Sequence, residues 1–181
     1  MRNIFILTIC LYLGGMIMSN ALDKADVFTV LSPTIKNNAV MPNALVYSGY
    51  GCTGENKAPE LNWINAPLNT KSFAIVCHDP DAPRENGWYH WLMINIPKNV
   101  NSYKNKLPQD ALETVTDFGS AGYGGACPPK GHGIHHYNFT VYALDVEKLS
   151  SAKDTKPKEV HNEILKHALA KSTITVTYER K

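Results

Sequence analysis

The sequence predicts a mainly β domain with a flanking helix, and three observations lead to that fold class. Apolar residues alternate with other residues over several long stretches, which is the period of a β-strand. Only one stretch, near the C-terminus, carries apolar residues at helical spacing. The chain has 181 residues, enough to bury one core, and its Gly and Pro residues separate these stretches without forming an interdomain linker.

The alternation predicts strands that together form a sheet buried on at least one face. In the first of them, Phe73, Ile75 and Cys77 share one face, because side chains two apart point the same way. In the last, three threonines oppose the apolar side chains. The predicted strands cover residues 72–78, 88–96, 137–144 and 172–179.

The predicted helix lies between the last two strands. Pro157 suits the first helical turn, with Asp154 or Thr155 as the N-cap. We expect its apolar stripe to pack on the sheet, so we assign no chemistry to it. The stripe consists of Val160, Ile164, Leu165, Ala168 and Leu169.

Composition and charge exclude several classes of protein. The 18 Lys and Arg residues against 16 Asp and Glu residues give a net charge of +2, and no basic block is present. We therefore expect no nucleic-acid partner and no polybasic membrane patch. The 12 Gly and 11 Pro residues are too few for a low-complexity chain, and four Cys residues do not make a disulfide-dense miniprotein. We expect no cofactor.

The N-terminus has the pattern of a secretory signal peptide. Arg2 precedes an uncharged apolar run from Ile4 to Met18, and Ser19-Asn20-Ala21 fits a small-x-small cleavage site. The alternative, an uncleaved membrane anchor, is disfavoured because a span needs about 20 apolar residues. The sequence therefore predicts a signal peptide at residues 1–21, a single domain at residues 22–181, and a periplasmic or secreted protein.

Removal of this segment leaves three cysteines, so at most one intramolecular disulfide forms. Cys77 lies in a predicted buried strand, where a thiol usually behaves as a small hydrophobic group. Cys52 and Cys127 lie in glycine-rich loops and are the better candidates for a bridge. The alternative is that both loop thiols are unpaired.

Polar residues concentrate where the predicted strands begin and end. The first strand leads into Asp79-Pro80-Asp81-Ala82-Pro83, in which the prolines stiffen the chain and orient both carboxylates, although Asp-Pro also starts ordinary turns. His90 shares a face with Trp88 and Leu92, which by itself suggests a core histidine. The segment from Gly122 to Tyr137 is rich in glycine, contains a Pro-Pro pair and enters a strand at a histidine, so it indicates an anion site built from backbone N–H groups and side-chain donors.

In this order, these motifs resemble the phosphatidylethanolamine-binding protein family, also called Raf kinase inhibitor proteins. The resemblance rests on Asp79-Pro80-Asp81-Ala82-Pro83, on His90 in an aromatic strand, and on Gly-x-x-Pro-Pro-Lys-Gly-x-Gly-x-His-x-Tyr from Gly125 to Tyr137. The chain is most similar to the exported bacterial branch labelled YbhB/YbcL-like. The resemblance implies a large central antiparallel sheet, a smaller sheet beside it and peripheral helices.

The resemblance also implies a small pocket that binds phosphate, phosphorylethanolamine and similar anions without turnover. Its donors and acceptors would be Asp79, His90, His135 and Tyr137. Asp81 and Pro83 would shape the turn, with a cis Ala82–Pro83 bond. His136 stands where the family has arginine, which removes a fixed charge that would pair with a carboxylate. The loop would contribute its backbone from Gly125 to Pro129, with Cys127 and Pro128 in the wall.

Two other functions remain open from the sequence. Asp79 with His90 or His135 would form the base half of a hydrolase, but no serine lies in a nucleophile-elbow pattern. A zinc site built on the histidine-rich segment is the other, but the spacing matches no standard ligand pattern, so no metal is expected. Members of the family inhibit kinases or proteases, and homodimers occur among bacterial members. The sequence identifies neither a protein partner nor the oligomeric state.

Overall fold

The structure, a computed structural model, describes residues 27–181, so the predicted signal peptide lies outside the described residues. The strands are β1 (Thr29–Leu31), β2 (Ala39–Val40), β3 (Ser48–Gly49), β4 (Cys52–Thr53), β5 (Leu61–Ile64), β6 (Ser72–Asp79), β7 (Trp88–Pro97), β8 (Ser102–Tyr103), β9 (Leu112–Glu113), β10 (Ile134–Leu144) and β11 (Ala168–Glu179). One α-helix, α1 (Pro157–His167), and a single 3₁₀ turn, Asn43–Leu45, complete the described part. None of its helices is long and apolar enough to cross a membrane.

A six-stranded sheet of order β2-β11-β10-β6-β7-β9 forms the centre of the molecule. Its pairs are antiparallel except for β2 with β11, which are parallel. A three-stranded sheet of order β1-β5-β8 lies beside it, and β3 and β4 pair separately. The predicted fold class is confirmed: a mainly β protein with a large, mostly antiparallel sheet and a smaller second sheet.

The central sheet is buried on both faces, because hydrophobic residues occupy both sets of alternating positions in β6, β7 and β10. One face packs against the smaller sheet and the loops, and the other packs beneath helix α1. The first core includes Trp63, Phe73, Trp91, Tyr137 and Phe139. The second includes Val76, Leu92, Leu144, Val160 and Ile164.

Helix α1 is shorter than the apolar spacing predicts. Its N-cap is Lys156, with no side-chain cap bond, so the predicted cap at Asp154 or Thr155 is wrong, although Pro157 does occupy the first turn. The helix ends at His167 because Ala168 already pairs with Leu144 as the first residue of β11. Tertiary strand pairing overrides the helical spacing there.

Candidate functional site

A cavity of about 460 Å³ opens where β6 ends and β7 and β10 begin. Each of these strands contributes polar side chains to it, and two loops close its sides. The lining residues are Tyr50, Asp79, Ala82, Pro83, Arg84, Trp88, His90, Asp117, Phe118, Cys127, Pro128, Pro129, His135 and Tyr137.

A β-bulge in β7 places His90 in this cavity. Cys77 pairs with Trp91 while His78 pairs with Tyr89, so His90 is the extra residue and the alternation of β7 shifts there. His90 therefore lines the cavity, whereas Leu92 packs in the core beneath α1. The prediction that His90 shares a face with Leu92 is wrong, because strict period-two alternation does not survive a bulge.

The backbone fixes the protonation and orientation of His90. Its Nδ1 lies 2.7 Å from the carbonyl oxygen of Gly124. A carbonyl only accepts, so Nδ1 carries the proton and donates, and Nε2 is left as an acceptor in the neutral ring. Burial lowers the pKa of His90 to about 4 and outweighs the opposing effect of the Gly124 bond. His90 is thus a neutral acceptor near pH 7.

Asp79 and His135 form a buried pair on the cavity wall. His135 Nδ1 donates to Asp79 Oδ2 at 2.7 Å, and both side chains are almost completely buried. Asp79 Oδ1 accepts from the Asp81 backbone N–H at 2.9 Å, which fixes the carboxylate. The other ring nitrogen of His135, Nε2, lies 2.7 Å from Nδ1 of His132. Both nitrogens of His135 therefore have partners within the chain.

Two buried donors in the cavity wall have no hydrogen-bond partner among the described residues. They are the Tyr137 hydroxyl and Trp88 Nε1. Burial, the nearby negative charge of Asp79 and a weak side-chain interaction with that carboxylate raise the pKa of Tyr137 well above its usual value, so the phenol keeps its proton. The geometry of the hydroxyl gives it no full hydrogen bond to any described residue. Leaving a buried donor unpaired costs about 1–3 kcal/mol, and a bound ion or water is one explanation for such a group in a native protein.

A disulfide joins the two loops that form one side of the cavity. Cys52 and Cys127 are bridged with a Cα–Cα distance of 6.0 Å, as predicted, while Cys77 is buried and has no disulfide partner among residues 27–181. The bridge holds the β3–β4 hairpin, which carries Tyr50, against the loop that carries Pro128.

The glycine-rich loop contributes less backbone than the sequence predicts. The N–H of Gly124 donates to the His90 carbonyl at 2.8 Å, and the N–H of Gly125 donates to Asn56 Oδ1 at 2.7 Å. Pro128 and Pro129 have no N–H to offer. Gly125 does not line the cavity. A side chain at this position would collide with the backbone of Leu45 and Val46, so the glycine allows that backbone to pack closely.

Asp81 also lies outside the lining, paired with His136 on the opposite side of β10. Its Oδ2 accepts from both the backbone N–H and the ring Nδ1 of His136, at 2.7 and 2.8 Å. Partial burial alone would raise the pKa of Asp81, but the His136 contacts outweigh it and lower that pKa. Histidine at position 136 thus keeps the carboxylate pairing that its substitution for arginine was expected to remove.

The expected cis bond at Ala82–Pro83 is wrong. Within residues 27–181 every peptide bond is trans, the form that X–Pro bonds favour by about 0.5–1 kcal/mol. The turn is closed instead by the Arg84 N–H, which donates to the Ala82 carbonyl at 2.7 Å. Pro83 lines the cavity.

The structure brings together Asp79, Pro83, His90, Cys127, Pro128, His135 and Tyr137 from the predicted set. Sequence reasoning missed the opposite side of the cavity, which comes from a loop between β9 and β10 and from the residue after Pro83. These missed residues are Arg84, Asp117 and Phe118, together with Tyr50 and Trp88. Among residues 27–181, no three His, Cys, Asp or Glu side chains are arranged to hold one metal ion.

The sequence and the fold match one family. The sequence model described as phosphatidylethanolamine-binding protein matches residues 31–179, which is most of the chain. The chain belongs to the phosphatidylethanolamine-binding protein family. YbcL of Escherichia coli K12 is 41% identical over 166 residues, covering 87% of this chain and 91% of that protein. YbhB of the same strain is 36% identical over 156 residues, covering 82% of this chain and 98% of that protein.

Solved structures of this family share the fold. The crystal structure of E. coli YbcL, described as a new member of the mammalian PEBP family, superposes with a TM-score of 0.84 over 86% of this chain and 100% of that one. A chain from Chlamydia trachomatis described as a homologue of these proteins gives a TM-score of 0.73 at 27% identity, covering 86% of this chain and 99% of that one. The predicted similarity to the YbhB/YbcL branch is therefore confirmed.

Proposed function

We propose that this member of the phosphatidylethanolamine-binding protein family is a non-catalytic binding protein whose cavity takes a phosphate or phosphorylethanolamine head group. The observation that carries the proposal is the buried Tyr137 hydroxyl in the cavity wall, which has no hydrogen-bond partner within residues 27–181. A phosphate oxygen would accept its proton and remove the cost of burying an unpaired donor. Trp88 Nε1 would supply a second donor of the same kind.

Neutral His90 adds a preference for the protonated form of the anion. Because its Nε2 is an acceptor, it is suited to the P–OH group of a phosphate monoanion and repels a bare oxyanion lone pair. The second pKa of a phosphate monoester is about 6, so the monoanion dominates below that pH. We therefore expect binding to strengthen as pH falls through about 6, through protonation of the ligand and not of His90.

The rim of the cavity suits the ammonium end of the same head group. Asp117 lies there, 15% exposed, with the aromatic rings of Trp88 and Phe118 beside it. The Arg84 guanidinium already stacks 5.0 Å from the Trp88 ring centroid and pairs with Asp117 at 3.3 Å, so this rim holds a cation in the free protein. A primary ammonium would compete with Arg84 for these contacts.

Calorimetric titration tests the proposal with phosphorylethanolamine, inorganic phosphate and ethanolamine, each at about pH 5.5 and about pH 8. We expect phosphorylethanolamine to bind more tightly at the lower pH, inorganic phosphate to bind more weakly, and ethanolamine alone not to bind. Absence of heat with either phosphate compound at both pH values would refute the proposed ligand class. Hydrolysis of aryl phosphates or esters that disappears in His135→Ala would instead support the hydrolase alternative.

We further propose that the protein is exported to the periplasm or the medium. The apolar N-terminal run and the Cys52–Cys127 bridge support this, because disulfides persist in oxidising compartments. An intact mass of the protein from its own cells should lack residues 1–21. Detection of the full-length chain alone, with all its cysteines reduced, would contradict export.

A further inference from the structure

We propose that His132 is a displaceable cap on His135, and that an anion enters hydrogen bonding with His135 by taking the place of His132. This inference rests on the proposed function and adds a regulating residue to the same site. It starts from the finding that neither nitrogen of His135 is available in the free protein. Nδ1 is held by Asp79 and Nε2 by His132, both at 2.7 Å.

A phosphate oxygen can bond to His135 only if one of these two partners leaves. Asp79 is buried and also accepts a hydrogen bond from the Asp81 backbone N–H, so breaking its bond to His135 would leave a buried carboxylate without its paired histidine. His132 is exposed, and its ring has this one hydrogen bond among the described residues. The group that leaves is therefore His132.

The backbone around His132 is suited to this movement. Gly131 and Gly133 flank it with φ of +70° and +90°, and a Cβ added at either glycine would meet nothing within 4 Å. Two backbone bonds hold the segment, one from the Gly131 N–H to the Arg180 carbonyl at 2.9 Å and one from the His132 N–H to the Pro129 carbonyl at 3.2 Å. Beyond Gly131, the His132 side chain can therefore turn away at glycine positions that lie in open space.

Proton placement makes the cap and the anion mutually exclusive. Asp79 accepts from Nδ1–H of His135, so in the neutral ring Nε2 is a bare acceptor and His132 Nδ1–H donates to it. An anion oxygen that carries no proton needs the opposite, a proton on Nε2. The titratable groups around this pair are Asp79 on β6, His90 on β7, Tyr137 on β10 and Tyr178 opposite His135 on β11. The Asp81–His136 pair lies on the opposite side of β10.

Removal of the His132 side chain should strengthen phosphate binding instead of weakening it. His132→Ala should bind inorganic phosphate and phosphorylethanolamine about two- to tenfold more tightly, because one neutral hydrogen bond no longer has to be broken. His132→Asn, whose amide can still bond to Nε2, should stay near the wild-type affinity. His167→Ala is the matched control, because the His167 ring lies outside the cavity and hydrogen-bonds to Asp145, just beyond the other end of β10.

Calorimetry at about pH 5.5 separates the outcomes, with thermal unfolding as a check that each variant is folded. If the wild type binds phosphate and His132→Ala binds equally or more weakly, the cap is refuted while the proposed function stands. If neither protein binds, both proposals fail. Ring ¹⁵N spectra provide an independent readout: added phosphate should shift the His132 nitrogens of the wild type to those of a free exposed ring, and unchanged His132 signals in a phosphate-bound sample would overturn the cap.

Discussion

Replacement of Tyr137 by Phe should stabilise the free protein and weaken its binding of phosphate. The Tyr137 side chain is 1% exposed and its hydroxyl has no partner among the described residues. Removing that oxygen should raise the free energy of unfolding by about 1–3 kcal/mol, the cost of an unpaired buried polar group. A hydrogen bond to a charged acceptor contributes about 1.5–3 kcal/mol, so affinity for phosphorylethanolamine should fall about tenfold to 150-fold.

Urea unfolding and calorimetry on the same samples measure the two effects. Tyr123→Phe is the matched control, because Tyr123 packs against the same core but its hydroxyl donates to the Leu45 carbonyl at 2.8 Å. That control should lose about 0.5–1.5 kcal/mol of stability and keep its affinity. A Tyr137→Phe variant that is less stable than wild type, or that binds phosphorylethanolamine equally well, would show that the hydroxyl is not a reserved ligand donor.

Three further predictions concern stability. The free energy of unfolding of the Cys52→Ser/Cys127→Ser variant should be lower than that of wild type by about 4 kcal/mol, because the bridge closes a loop with a sequence separation of 75. Reductant should lower the urea midpoint of wild type to that of the variant and leave the variant unchanged. Because the folded-state pKa of His90 is about 4 and its unfolded value about 6.5, His90 should contribute about 3 kcal/mol to the fall in the free energy of unfolding as pH drops from about 6.5 to about 4. A His90→Gln variant with an equally steep pH dependence would contradict this assignment. His161 forms hydrogen bonds with the hydroxyls of Tyr89 and Tyr142, each at 2.9 Å, so His161→Ala should lower the free energy of unfolding by about 2 kcal/mol. An unchanged melting temperature would argue against these two hydrogen bonds.

The long strands could be predicted from the sequence because their periodicity spans many residues. The sequence reveals Phe73, Ile75 and Cys77 as one face of β6, and the same holds for most of β10 and β11. The strands of the second sheet have two to four residues, too few to show alternation above chance. Their existence depends on tertiary pairing, which a local pattern does not encode.

The core of the site was predictable to the extent that motifs mark strand ends. Asp79, His135 and Tyr137 lie on neighbouring strands and meet as the motif order suggests. The β-bulge at His90 could not be predicted from the sequence, because a bulge is defined by the register between β7 and its partner strand β6. The Gly125 amide looked free in the sequence but is satisfied by Asn56, a residue 69 positions away.

Site residues whose contacts join separate loops could hardly be predicted from the sequence. Arg84 and Asp117 form an ion pair on the cavity rim from separate loops, and nothing in the local sequence of Asp117 marks it. His132 was visible only as one of several histidines in a glycine-rich loop. Its contact with His135 depends on the turn made by Gly131 and Gly133, which requires the folded backbone.

The most direct test of the central claim is a crystal structure of the purified protein with phosphorylethanolamine. We expect the phosphate inside the cavity, with one oxygen within hydrogen-bond distance of the Tyr137 hydroxyl and the ammonium group near Asp117. An empty cavity at saturating ligand, or a head group bound elsewhere on the surface, would contradict the proposed function.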